Sequence, residues 1–324
     1  MTLLAAPRGT REEAFEHEAL FYAGTEGFVA QTVPFVREGL AGGEPVLVVV
    51  PRPRLRALQD GLGDDARRVT FADMAEVGTN PARIIPAWQD FLAANGSGRR
   101  PVRGIGEPIW AGRTPAELVE CQRHESLLNV AFAGSGSWRL LCPYDVSALD
   151  ASVIEEARRS HPLVSAGGQR SSSPVVRDVD AMARPFDVPL PDAPVGADAL
   201  PFEHGDLASV RGFAAEIARR GGIGGGRLDD FVLAVHEVAT NSVRHAGGSG
   251  TVKGWWEGDA AVCEVTDAGR IDEPLVGRER PGLRRTGGRG VWLANQLCDL
   301  VQIRTFPTGN VVRLHMLGRP TPAH

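Results

Sequence analysis

The stretch HEVATNSVRHAG, residues 236–247, spaces a carboxylate and an amide, Glu237 and Asn241, four positions apart. On a helix, positions i and i+4 lie one above the other on the same face. Phe231, Leu233, Ala234 and Val238 give the segment an apolar side to bury. Burial of that side would aim the acid and the amide at one place. The pair alone decides nothing, because solvated helix faces often carry such pairs. The decision rests on residues farther along the chain.

Two such pieces come in order. TDAG, residues 266–269, closes a predicted strand and sets Asp267 two residues before Gly269; TGGRGVWLANQL, residues 286–297, opens a helix with Gly287, Gly288 and Gly290. A carboxylate at a strand end can accept hydrogen bonds from an exocyclic base amine, and a glycine beside it lets a flat ring approach the backbone. Glycines at a helix N-terminus expose free N–H groups to an anion such as phosphate. The Asn241 amide oxygen can ligate a hard cation, and Mg²⁺ takes oxygens together with substrate phosphates. Glu237 beside it could take a proton from a hydroxyl or water. The set describes a nucleotide site that uses no GxxxxGK[ST] loop. GGIGGG, residues 221–226, falls between two predicted helices and reads as their connector.

HEVATNSVRHA, DAG and GGRGVWLANQLCD, in this order, resemble the boxes of the Bergerat-type (GHKL) ATPase fold. Within it, the chain looks most like the anti-sigma factor serine kinases of bacterial partner-switching systems. The resemblance covers roughly residues 200–315 and implies ATP and Mg²⁺ as cofactors. It implies Glu237 as general base, Asn241 as Mg²⁺ ligand, and Asp267 as partner of the adenine amine above Gly269. Gly288 and Gly290 would cradle phosphates with Arg289 between them. Residues 270–286 would form the ATP lid, where Arg284 and Arg285 could meet phosphate charge. The family commonly has a threonine in its last strand near the adenine, where this chain has Val311 and Val312.

Around these motifs, residues 199–324 give two helices (207–222 and 228–247), strands at 251–258 and 260–269, a short helix at 290–299 and a closing hairpin. Helices segregated from a run of strands predict an α+β sandwich. Residues 164–198, rich in Ser, Pro, Gly and Asp, read as a linker. Residues 1–163 alternate apolar runs with helical spacing. PVLVVV (45–50) is a continuous apolar run of the kind buried on both sheet faces, followed by further strands near 68–74, 100–108 and 137–145. Helices at 32–43, 81–96 and 115–133 fall between them, which predicts an α/β domain with a mainly parallel sheet.

LFYAG, MAEVGTNPARIIPAWQDF, RGIGEPIW, LVECQRHESLLN and LLCPYD resemble the MEDS sensory domain over about residues 15–163. That likeness implies a RecA-like α/β fold and a small-molecule ligand. PRPRLRALQDG after PVLVVV lacks the lysine and hydroxyl of a phosphate loop. Ligands of open α/β sheets bind at the carboxyl ends of strands, so Glu107, Trp110, Tyr144 and Asp145 are candidates for a pocket rim; the plainer reading gives each a cap or turn role. His17, Cys121, His124 and Cys142 are soft or borderline metal ligands. Cys121 and His124 stand at i, i+3 and can share a helix face; the other two would have to converge from elsewhere. Buried free thiols and a satisfied histidine are the ordinary explanation.

The chain has 324 residues, 43% of them hydrophobic, enough for two cored domains, and its formal net charge of −5 comes from interspersed charges rather than a basic patch. Direct nucleic-acid binding is not expected. Four scattered cysteines form no CxxC pair, which fits a reducing compartment. Apolar runs are of strand length, so no membrane span is expected and the location reads as cytoplasmic. The resemblances imply a sigma factor and a STAS-type anti-sigma-factor antagonist as partners, the antagonist being phosphorylated on Ser or Thr, and a homodimer through the ATPase sheet. Two alternatives stay open. A sensor histidine kinase would need an acceptor histidine on a dimerising hairpin, and the His-Glu dipeptides at 17 and 124 instead fall inside the α/β region. A non-catalytic sigma-binding module would need no turnover.

Overall fold

The valine run at residues 46–50 is buried at every position, and the reason is visible in the sheet around it. The computed structural model describes residues 15–95, 101–182, 184–282 and 288–318. Strands β1 (Phe15–Tyr22), β2 (Val46–Val50), β3 (Thr70–Asp73), β4 (Val102–Gly106), β5 (Trp138–Asp145), β6 (Leu163–Ala166) and β7 (Gln169–Ser172) form one sheet in the order β3-β2-β4-β5-β1-β6-β7. Every pairing is parallel except β6 with the edge strand β7. Helices α1 (Gly24–Ala41), α2 (Arg52–Leu62), α3 (Met74–Val77), α4 (Ile84–Asn95), α5 (Pro115–Ala131) and α6 (Ala151–Ser160) connect them. Alternate residues of β1 and β2 feed opposite faces. Leu20, Tyr22, Val46 and Val48 pack under α1 and α2. Ala19, Phe21, Leu47 and Val49 share the core of α4, α5 and α6. Both faces are covered, as a parallel sheet requires.

Part of the stretch that reads as a linker is folded. Leu163–Ser172 forms the β6–β7 hairpin on the first sheet, and Met182 and Phe186 are buried. Farther on, the Arg304 and Arg313 side chains donate to the carbonyls of Val188 and Pro191.

The second domain has β8 (Asp198–Glu203), α7 (Leu207–Arg220), α8 (Gly225–His245), β9 (Ser249–Glu257), β10 (Ala260–Asp267), α9 (Arg289–Leu297), β11 (Leu300–Phe306) and β12 (Gly309–Leu317). Its antiparallel sheet runs β11-β12-β10-β9-β8. Ala261, Cys263 and Val265 of β10 and Val312, Leu314 and Met316 of β12 face the helices. Their neighbours Val262 and Trp255 face the other way and are covered by Ala193 and Ala197. The α/β and α+β classes expected from the sequence are the observed ones. Strands β1 and β8 and helix α2 had no expected counterpart, because each carries charges or prolines that blur its pattern. Among the described residues no helix is long and apolar enough to cross a membrane.

Helix α5 joins the domains. Thr114 and Glu117 cap its N-terminus reciprocally, with Pro115 in the first turn. The side chain of Glu120 is buried and accepts from Arg278 (2.9 Å) and Arg304 (2.8 Å) of the second domain. Arg123 donates to the carbonyl of Ile303 at 2.8 Å, on the edge strand β11. Asn80 and Arg83 donate to the Asn295 and Cys298 carbonyls, so the first domain caps the C-terminal end of α9. Removing the acid of a buried ion pair strands its partners without compensation. Glu120→Ala should therefore cost about 3–5 kcal/mol, measured by chemical denaturation; an unchanged midpoint would show that the arginines find other partners.

Candidate functional site

Helix α8 is an amphipathic rod whose buried side, Phe231, Ala234, Val235, Val238 and Ala239, lies on the second sheet. This leaves Glu237 and Asn241 half-buried on one flank. The N-terminus of α9 meets that flank. A Cβ built on Gly290 would fall 2.8 Å from Asn241 Nδ2 and 2.9 Å from Glu237 Oε2, so any larger residue there must push both side-chain ends aside. Gly288, the residue before the helix, has φ +86°. Among the described residues neither Glu237 nor Asn241 is committed to a side-chain hydrogen bond. Both are available to a ligand.

Asp267 stands across the cleft and is held firmly. It accepts from Ser242 Oγ (2.6 Å), the Gly269 N–H (2.8 Å) and Asn310 Nδ2 (2.9 Å). Asn310 is in turn fixed by Thr305 Oγ1 at 2.9 Å. Sequence reading looked to Val311 and Val312 here. Val312 does line the cleft, whereas Val311 pairs with Thr266 and does not, and the antiparallel register puts Asn310 opposite Asp267. The missed residue was legible only through register: it is the second residue of β12, just past the turn of the last hairpin.

Asn241, Asp267, Gly269, Gly288, Asn310, Val238, Val291 and parts of segment 270–281 line one cleft of about 500 Å³. The segment expected as a lid leans on the first domain. Leu275 packs into that domain's core, Arg278 binds Glu120, Glu279 accepts from Gln89 (3.1 Å) and Arg280 pairs with Asp90 (3.1 Å). Arg289 begins α9. Arg284 and Arg285 lie outside the described residues. The arrangement offers carboxylate and amide oxygens, helix-terminal N–H groups and an anchored acid on the walls of a half-apolar slot. These fit a Mg²⁺-nucleotide: oxygens for the cation, N–H groups for phosphate and an acceptor for a base amine.

In the first domain, the carboxyl ends of β1, β4 and β5 gather Tyr22, Glu107 and Asp145. Tyr22 donates to Glu107 at 2.5 Å, and Arg54 pairs with Asp145 at 2.8 Å. Burial pushes the Glu107 carboxyl up to about 7 against the opposing Tyr22 hydrogen bond, and its second oxygen has no hydrogen-bond partner. Trp110 instead carries the Arg113 guanidinium 3.9 Å from its ring centre. Tyr144 sits in the core, 1% exposed, its hydroxyl pushed far up by burial; it is not on a rim, because its side chain takes the core-facing parity of β5.

The four proposed soft ligands divide. His17 and Cys142 meet, Sγ to Nε2 3.4 Å, with Glu125 and His161 completing the cluster. Cys121 and His124 stay apart from it: the Cys121 thiol donates to the Pro108 carbonyl at 3.3 Å, and His124 is buried elsewhere along α5. Burial holds the Cys121 thiol up at about 12 and the His124 imidazole down at about 3. Spacing along a helix could not show which of these side chains meet, because His17 on β1 and Cys142 on β5 converge across a parallel pairing that local spacing does not encode.

Two domain families match the chain. Residues 16–162 match MEDS, the methanogen/methylotroph, DcmR sensory domain. Residues 200–316 match the histidine kinase-like ATPase domain. The chain thus carries a region that matches a sensory domain followed by one that matches a histidine kinase-like ATPase domain, and the second domain's antiparallel sheet with its helices is consistent with a GHKL ATPase sandwich. No curated protein matches the chain.

This geometry can be checked by two measurements. Gly290→Ala puts a methyl against both Glu237 and Asn241 and should weaken nucleotide binding, read by calorimetry, while melting stays near the parent's. For Glu107 the folded state holds its proton to about pH 7, whereas the ordinary value is 4.5. The native chain then binds more protons between these values, so stability falls as pH rises through that window and levels off above it. Glu107→Gln stays neutral and should remove this decline, a difference of about 3 kcal/mol at pH 8. Parallel pH–stability curves for parent and variant would contradict it.

Proposed function

We propose that the protein is an ATP-dependent regulatory kinase of the anti-sigma type, governed by a small ligand in its first domain. The observation that carries this reading is the convergence of Asn241, Gly288 and anchored Asp267 on one cleft, with Glu237 beside Asn241 against Gly290 at the start of α9. ATP·Mg²⁺ bound there would supply the phosphoryl group and its charge-neutralising cation. Asn241 would ligate the cation, Gly288 and Gly290 would offer backbone N–H groups to phosphate, and Asp267 would take the adenine amine. Glu237 would remove the proton from a serine or threonine hydroxyl of a STAS-type antagonist. Phosphoryl transfer depends mainly on positioning and charge neutralisation, and these residues supply both. The same domain would hold a sigma factor inactive when the antagonist is phosphorylated.

The contacts of segment 275–280 with the first domain support ligand control, since the cleft wall and the sensory domain share side chains. The Tyr22, Glu107, Arg54 and Asp145 group at the strand ends is the proposed ligand position. A histidine kinase reading gains no support from the His-Glu dipeptides at 17 and 124, whose histidines are each 1% exposed.

The test uses the full chain with a STAS-type protein. Asn241→Ala should lose Mg²⁺-dependent ATP affinity by at least about 10-fold, the scale of one charge-assisted contact. Glu237→Ala should keep ATP and lose about 10²–10⁴-fold in phosphate transfer. Acid-stable phosphate on the acceptor is the expected product. Transfer absent in the parent, with sigma binding retained, would leave a sequestering module in its place.

A further inference from the structure

The cluster around Glu125 belongs to neither the nucleotide cleft nor the strand-end group. His17 comes from β1, Glu125 from α5, Cys142 from β5 and His161 from the end of α6, and all are at most 1% exposed. Their ligating atoms lie within 4.8 Å of one another. Glu125 Oε2 is 3.2 Å from His17 Nε2 and 3.3 Å from His161 Nε2, and Cys142 Sγ is 3.4 Å from His17 Nε2.

The protons of the two imidazoles can be placed from their outer nitrogens. Asn129 Nδ2 donates to the carbonyls of Ser160 (2.7 Å) and Ser126 (3.2 Å), which turns Oδ1 toward His17 Nδ1 at 3.1 Å. His17 Nδ1 must therefore donate. His161 Nδ1 lies 2.8 Å from the Ala157 carbonyl, which can only accept. In the neutral rings both Nε2 atoms are lone pairs, and both face the same carboxylate oxygen. The single proton of the Cys142 thiol can be given to only one of these acceptors, the nearest being His17 Nε2; the remaining lone pair and the anion, crowded in a dry interior, repel unless positive charge lies among them. His161 Nε2 and Glu125 Oε1 are, moreover, buried atoms with no hydrogen-bond partner.

We propose that His17, Glu125, Cys142 and His161 form a closed, four-ligand site for a borderline divalent cation of the zinc class. Two imidazoles, a carboxylate and a thiolate are ligand types that zinc takes, with about tetrahedral geometry. Mg²⁺ and Ca²⁺ prefer all-oxygen shells. The charges of one carboxylate and one thiolate balance a divalent ion, with the Cys142 proton leaving to solvent on binding. Asn129 and the Ala157 carbonyl orient the two rings, as outer hydrogen-bond partners of metal-bound histidines do. Four protein ligands leave no open position, so the ion would brace the core or register metal supply rather than bind substrate. The Mg²⁺ role of Asn241 is independent of it.

The experiment takes the full-length protein, measures metal by mass spectrometry, then strips it and titrates Co²⁺. One cation per chain is expected, with a near-ultraviolet thiolate-to-cobalt band and the strong visible bands of tetrahedral cobalt. Cys142→Ser should lose the thiolate band, and Cys121→Ser should keep it. Asn129→Ala should weaken cobalt binding about 10–100-fold. X-ray absorption at the zinc edge of the parent, which needs no variant to fold, should show one sulfur and two imidazoles. No cation taken up by stripped parent, an all-oxygen shell, or a band that survives Cys142→Ser would each overturn the site; the first would leave a proton as the charge shared with Glu125.

Discussion

One buried carboxylate, Glu120, holds two arginines from a different domain, and much else in the molecule is arranged around that fact. Arg304 is 1% exposed and Arg278 6%. Burial depresses the Arg278 guanidinium to about 10, with Glu120 acting against that. Such an ion pair contributes little net stability compared with apolar packing, yet its geometry is demanding. It fixes where β11 and the segment after β10 sit relative to α5. The contacts of Asn80 and Arg83 with the end of α9 set the same relation from another side. The edge strand β11, whose exposed carbonyls would invite foreign pairing, is covered in consequence.

Helix α5 also explains how far the sequence could be read. LVECQRHESLLN mixes charged and apolar residues with no clear stripe, and from Glu120 to Asn129 only Gln122 escapes burial. A helix polar on several sides can be stable when it bridges domains, and here each polar residue has a separate destination. Glu120 and Arg123 reach the ATPase domain, while Glu125 and Asn129 turn into the first domain's own core. No helical period can announce two destinations. The candidate cleft beside α8 could be read from local pattern for the opposite reason. Glu237 with Asn241, Asp267 with Gly269, and Gly288 with Gly290 are each close in sequence, and the order of the elements brings the groups together. Where the site depended on register, as with Asn310, or on parallel pairing, as with His17 beside Cys142, local pattern carried no information.

The same contrast separates fold from linker. Continuous runs such as VLVVV declare a two-sided burial that only a parallel sheet provides. The stretch 164–198 declares only its composition. Part of it pairs as β7 with β6, and part lies over Trp255 and Val262 on the sheet face opposite α7 and α8. A homodimer through this sheet was the expectation, and Ala193 and Ala197 of the same chain cover part of the face opposite the helices.

A ligand in the first domain can change the second only by favouring one of two arrangements that differ in affinity for it. Helix α5 is the element whose position both domains register. Its Glu125 shares contacts with β1, β5 and the end of α6, so anything that tightens or loosens that cluster acts on the helix directly. Five residues earlier Glu120 grips Arg278, and Arg278 follows Val276 and Gly277, which line the candidate cleft. Sub-ångström movement of a packed helix passes to whatever is rigidly bound at both sides, because a dense interior repacks in steps rather than stretching. The chain thereby offers a physical route from a buried cluster to a cleft wall that runs through one helix and one ion pair, with no flexible tether between them.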